Sequence, residues 1–150
     1  MTDDKWFRVQ IQAGKKKVFD PVRKRFVALT PEEEVRQNTL YQLINTMKVP
    51  QSLIAVEYAF DLNQRKKRSD IVVFDRDGKA LMIVECKAGN IAIGQAALDQ
   101  AARYNFVLQV RFLMLTNGKE QYICRIGEKN PTLEYIQFLP DYDYLVQSIE

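Results

Sequence analysis

The chain has 150 residues and a mass of 17.5 kDa; 47% of it is hydrophobic and 27% charged, an ordinary globular composition with the length of a single domain. Histidine is absent, which excludes histidine-based triads, histidine general bases and most catalytic zinc sites and leaves acid–base or metal chemistry to carboxylates and lysines. Net charge is only +3, and the two cysteines, Cys86 and Cys124, form no CxxC, so a disulfide framework is excluded and a reducing cytoplasm fits best.

The N-terminus, MTDDKWFRVQIQ, lacks the apolar core of a signal peptide, and no run is long enough to span a bilayer, so no membrane partner is expected. Alternation in Trp6 to Gln12, then KKKVF and RFVAL around Asp20-Pro21, predicts an N-terminal β meander over residues 1–29. This segment holds eight basic residues against three acidic ones, while the remainder of the chain is slightly acidic. Its charge permits a basic DNA platform, and its edge permits docking of a partner.

Thr30-Pro31-Glu32-Glu33 carries an N-cap hydroxyl, proline at the first helical position and Glu at the third, and predicts a helix to about Lys48. LIAVEYAF then reads as a strand, Arg65, Lys66, Lys67 and Arg68 as a basic loop suited to solvent or phosphate, and DIVVFD and KALMIVECK as strands around Asp77-Gly78. A second helix is predicted over about Gly94 to Gln109, followed by strands RFLMLT, EQYICRI and TLEYIQFL and a short terminal helix in DYDYLVQSIE. The organisation is one domain: extension 1–29, core 30–125, and a closing strand and helix over 126–150. It is an α/β class with a central mixed sheet flanked by helices.

With Asp77-Gly78 as a two-residue turn, Val72 faces Ile83, Phe74 faces Leu81, and Asp70 faces Glu85. Opposed carboxylates destabilise a sheet unless a cation lies between them, and Lys87 shares the Glu85 face whereas Cys86 points away. On the first helix the apolar stripe Leu40, Leu43, Ile44 and Met47 is centred near Glu33, with Arg36 beside it and Glu32 at the flank. Glu33 either closes the capping box or joins Asp70 and Glu85 as a third acid; Glu57, in mid-strand, is a further acid whose spacing is indecisive. Carboxylates with a lysine and no histidine suit phosphodiester hydrolysis with Mg²⁺ or Mn²⁺.

KRSDIVVFDRDGKALMIVECKA resembles the core of the PD-(D/E)XK nucleases, with Ser69 where the family often has proline. The closer resemblance is to the N-terminal nuclease domain of type I restriction enzyme R subunits, carried by TPEEEVRQ, RSDI, ECKA and QAARYN in order, followed by LTNG. That resemblance implies a restriction-endonuclease-like fold and a Mg²⁺- or Mn²⁺-dependent endodeoxyribonuclease. Asp70, Glu85 and the Cys86 backbone carbonyl would be metal ligands, Glu33 the helix acid, and Lys87 the group that positions water. It also implies that Gln100 and Tyr104 orient the site, with Gln95 a weaker candidate, while Arg65 to Arg68 meet the DNA backbone. R subunits carry a motor that 150 residues cannot accommodate, and GNIAIGQ lacks the P-loop lysine, so no ATP is expected to bind this chain. The expectation is a stand-alone nuclease domain acting on DNA, as a homodimer or with a separate motor or specificity subunit. The alternatives are a structure-selective nuclease such as a junction resolvase, and a non-catalytic nucleic-acid or protein-binding module that keeps the fold.

Overall fold

A computed structural model describes residues 7–148. Trp6, and the acidic start of the chain with it, lie outside that range. The expected meander is an antiparallel sheet of β1 (Val9–Gln12), β2 (Lys15–Asp20) and β3 (Arg25–Ala28). Thr30 caps α1 (Pro31–Tyr41), its hydroxyl accepting from the Glu33 N–H at 3.0 Å. The predicted single helix to Lys48 is two pieces, because the last turns, Gln42–Thr46, widen into a π-helical segment.

A six-stranded sheet follows in spatial order β4 (Ile54–Leu62), β5 (Arg65–Phe74), β6 (Ala80–Cys86), β7 (Phe112–Thr116), β8 (Gln121–Ile126) and β9 (Leu133–Tyr135). Only β6 and β7 are parallel, joined by the crossover helix α2 (Gln95–Leu108); the other pairs are antiparallel. The terminal helix α3 is Tyr142–Gln147. The run TLEYIQFL pairs only through Leu133–Tyr135, fewer residues than its alternation suggested.

Two expectations are corrected here. Arg65 to Arg68 are not a loop: Asn63 and Gln64, at φ 50° and 66°, make a tight two-residue turn, and the basic run is the first half of β5, exposed and paired to β4. The second concerns the β5–β6 turn. Phe74 pairs with Ala80 rather than Leu81, because a bulge between Val73 and Phe74 absorbs a wider turn. That turn is closed by the Asp75 N–H on the Lys79 carbonyl at 2.8 Å, and the Asp75 carboxylate accepts from the N–H groups of Asp77 and Lys79. The pairing Val72–Ile83 nevertheless stands as read from the sequence.

The sheet is buried on both faces. Val35, Leu40, Leu43 and Met47 pack with Ile71, Val73, Met82, Val84, Phe112 and Met114 on one side. On the other, α2 covers Leu113 and Leu115 through Leu98, Ala101 and Ala102, and Tyr104 covers Val72 and Ile83. This two-sided burial explains why β5 to β7 read as continuous apolar runs rather than alternating ones.

Candidate active site

The parallel pair brings the carboxyl ends of β6 and β7 together, since Cys86 pairs with Thr116 and the Lys87 N–H donates to the Thr116 carbonyl at 2.8 Å. Ligands of α/β sheets bind beyond such ends. Asp70 arrives there from mid-β5, and continuing the Ile71–Val84 register by one residue sets it opposite Glu85.

Asp70 does not simply share a face with Val72. Lys67 lies over the Tyr104 ring at 5.1 Å, Ser69 adjoins the Tyr104 hydroxyl and Val72 packs on the same ring, so the alternation slips by one residue between Ser69 and Val72. The Asp70 carboxylate is thereby turned toward α1. Its Oδ1 accepts from Arg36 Nη2 at 3.0 Å, and its Oδ2 from the Cys86 N–H at 2.8 Å. The neighbouring strand is distorted at the same level: Val56 and Tyr58 pair with Ile71 and Ser69, and Glu57 between them has φ 54°. A left-handed residue inside a strand is costly and is found where a site constrains the backbone.

The helix acid beside Asp70 is Glu32, not Glu33. Partial burial and the adjacent Asp70 carboxylate, hydrogen-bonded to it, push the Glu32 carboxyl above its usual range. Glu33 is instead consumed by cations: its Oε1 accepts from Arg23 Nη2 at 2.8 Å and Arg36 Nη1 at 2.9 Å, and its Oε2 from Gln37 Nε2 at 3.2 Å. Arg23 comes from the β2–β3 turn, where Nε also holds the fully buried Asp20 at 2.8 Å, and Gln37 reaches Asp20 at 3.0 Å. A continuous charged chain thus runs Asp20, Arg23, Glu33, Arg36, Asp70. Burial would lower the Arg36 pKa, but Glu33 and Asp70 reverse the effect and raise it. Glu57 sits 3.6 to 4.0 Å from Arg36, Arg23 and Arg68 at the rim of this cluster.

Burial pushes the Glu85 carboxyl up, Lys87 and Lys67 pull it down, and Asp70 adds to the rise. Glu85 therefore senses Asp70 from the adjoining strand and Lys87 from just beyond its own, while Lys87 itself is exposed. Tyr104 is buried, and burial raises its hydroxyl pKa; Gln100 is exposed on the same helix. Gln95 is engaged away from the acids, with Asp99 at 2.9 Å and the Tyr135 hydroxyl at 3.1 Å. Among the described residues, no three acids or cysteines are gathered closely enough to cage a metal ion as they stand. Sequence reading passed over Arg23, Asp20 and Gln37 as site neighbours. Glu33, Arg36 and Gln37 at i, i+3 and i+4 were the available signal, since that spacing makes one buried polar face.

A mixed sheet between helices, with acids and a lysine at the shared carboxyl ends of a parallel pair, is a nuclease-like α/β fold. Two of the solved structures whose fold it resembles are these. One is a fragment from Vibrio vulnificus YJ016 described as a candidate HsdR subunit of a type I restriction enzyme, with 21% identity and TM-score 0.59 over 81% of this chain. The other is a candidate nuclease of the DUF820 group from Anabaena variabilis ATCC 29413, with 12% identity and TM-score 0.52, covering 93% of this chain and 84% of that one. This chain spans about a quarter of the Vibrio fragment, 25% of its length. Comparison with curated proteins finds no match. Residues 31–140 match the family described as the type I restriction enzyme R protein N terminus, HSDR_N, and the chain belongs to that family.

Proposed function

We propose that this domain hydrolyses phosphodiester bonds in DNA with a divalent metal, as an endonuclease. The observation that carries the reading is the meeting of Asp70, Glu85 and Lys87 beside Glu32, where carboxyls are pushed above their usual range. Neighbouring carboxyls raised in this way suit a hard divalent cation, which would relieve the repulsion as it draws their oxygens in as ligands. Asp70, Glu85 and the Cys86 carbonyl would hold Mg²⁺ or Mn²⁺, with Glu32 rather than the arginine-bound Glu33 as the helix acid. When bound, the ion supplies an activated water and neutralises charge on the phosphate.

Lys87, unburied and next to Glu85, orients the attacking water and meets the phosphate. Arg36 fixes the Asp70 carboxylate, and the exposed Arg65 to Arg68 strand contacts the backbone without reading sequence. Gln100 and Tyr104 line the α2 side. As a member of a restriction-enzyme family, the domain would take specificity or translocation from partner subunits.

The test is cleavage of supercoiled plasmid in Mg²⁺ and Mn²⁺. Lys87→Ala and Asp70→Asn should each lower cleavage by at least about 100-fold with the circular-dichroism spectrum unchanged. Retained cleavage in both variants would end the assignment. The non-catalytic reading draws on one observation, Arg36 at 3.0 Å from the Asp70 oxygen that a metal would use. It predicts no product in any metal and DNA binding that a chelator leaves unchanged.

A further inference from the structure

The N-terminal sheet has an outer face that the acid cluster does not use. Val9 pairs with Val18 and Val18 with Val27, so the next row on the opposite face joins Arg8, Phe19 and Phe26, with the Phe19 N–H donating to the Arg8 carbonyl at 3.3 Å. The following rows on that face are Gln10 and Lys17 beside Ala28, then Gln12 and Lys15. Among the described residues it carries three cations and two amides and no acid. Phe19 and Phe26 meet edge to face at 5.3 Å, and Phe19 is 37% exposed. With Phe7, Arg8 and Pro21 they line an open hollow of about 350 Å³.

We propose that this face binds single-stranded nucleic acid, the aromatic row stacking an unpaired base and Arg8, Lys15 and Lys17 following the phosphates. Aromatic side chains interleaved with cations are what such a strand needs: every base has a π face, and the backbone is uniformly anionic. A protein partner would not require one cation in each row with no acid among the described residues of the face, and intact duplex would leave the aromatic row without an unpaired base to stack. The aromatic row adjoins the Asp20–Arg25 pair along β2 and β3, but the buried Asp20 carboxylate, the first link of the charged chain to Asp70, faces the other side of the sheet. The face extends the nuclease reading, yet its binding does not depend on the acids being catalytic.

The experiment measures anisotropy of a fluorescein-labelled deoxythymidine oligomer in EDTA, where no cleavage intervenes, against a blunt duplex of equal length. Phe19→Ala should weaken oligomer binding by about tenfold, Phe19→Trp should restore it, and the single strand should bind more tightly than the duplex. Lys15→Gln with Lys17→Gln should flatten the slope of log affinity against log salt by about 1.4. Melting temperatures identify any variant that fails to fold, and Phe26→Leu then replaces it in the same comparison. Equal affinity of folded Phe19→Ala and wild type, or of single strand and duplex, overturns the proposal. Cleavage by Lys87→Ala and Asp70→Asn is read separately in Mg²⁺, so its loss bears on the nuclease reading alone, while the EDTA comparison of Phe19 variants bears on this face alone.

Discussion

Glu85 carries the clearest trade between stability and function at the level of one residue. Burial raises its pKa, and Asp70 raises it further against the pull of Lys87 and Lys67. The folded chain therefore holds this proton more tightly than the unfolded chain does, and stability falls as pH rises from the ordinary carboxylate range through the raised value. Glu85→Gln removes that loss. The variant should be more stable than wild type at about pH 8, with the gain shrinking to nothing near pH 3.5, below the ordinary glutamate range. Urea midpoints at the two pH values give the comparison. A variant less stable at high pH would mean that Lys87 pairing outweighs burial. Cys86, next in sequence, has its thiol pushed up by burial and is 1% exposed, so it serves as a core residue and a backbone donor to Asp70 rather than as a nucleophile.

Among elements, the join between the β2–β3 turn, α1 and β5 depends on buried ions. Arg36 side-chain exposure is 7% and that of Glu33 is 8%, so Arg36→Met leaves Glu33 and Asp70 short of a cation in a poorly solvated place. Breaking a buried pair from one side costs about 3–5 kcal/mol, and urea unfolding should show a loss of that order. The Arg111–Glu128 pair, with Glu128 74% exposed, is the control, and Glu128→Gln should be nearly silent. This join also marks the limit of what the sequence discloses. Helix α1 is announced by its Thr30 cap and Pro31, and the Val72–Ile83 pairing follows from the two-residue turn, because both are local rules. The turn itself is wider than that, and the pairing survives only because a bulge compensates. Asp70, Glu85 and Lys87 were legible since they sit on two strands of one hairpin. Which helix acid would stand beside Asp70 was not, because Arg23, remote in sequence, takes Glu33 and leaves Glu32.

Across the whole molecule, the two sheets divide the labour that the proposed function needs. The six-stranded sheet, buried by α1 on one side and α2 on the other, fixes Glu85 near the end of β6 and Asp70 on the adjoining β5, and the small basic sheet is coupled to Asp70 through Arg23 and Asp20 by way of Glu33 and Arg36. A cation that binds only when these pieces are in register must stabilise the complete fold, not a local loop. The proposed metal site accordingly predicts a thermodynamic signature independent of cleavage. At a hundred times the dissociation constant, one ligand adds about 2.7 kcal/mol, which in a domain of this size raises the melting temperature by about 5–10 °C. Wild type should show that rise in Mn²⁺ or Mg²⁺, and Asp70→Asn should not. Glu33→Gln should keep the increment from a lowered starting point, because Glu33 holds arginines rather than the ion. Equal increments in wild type and Asp70→Asn would place the cation elsewhere. No increment in wild type, even with DNA present, would make the acids structural and leave the family fold here as a binding module.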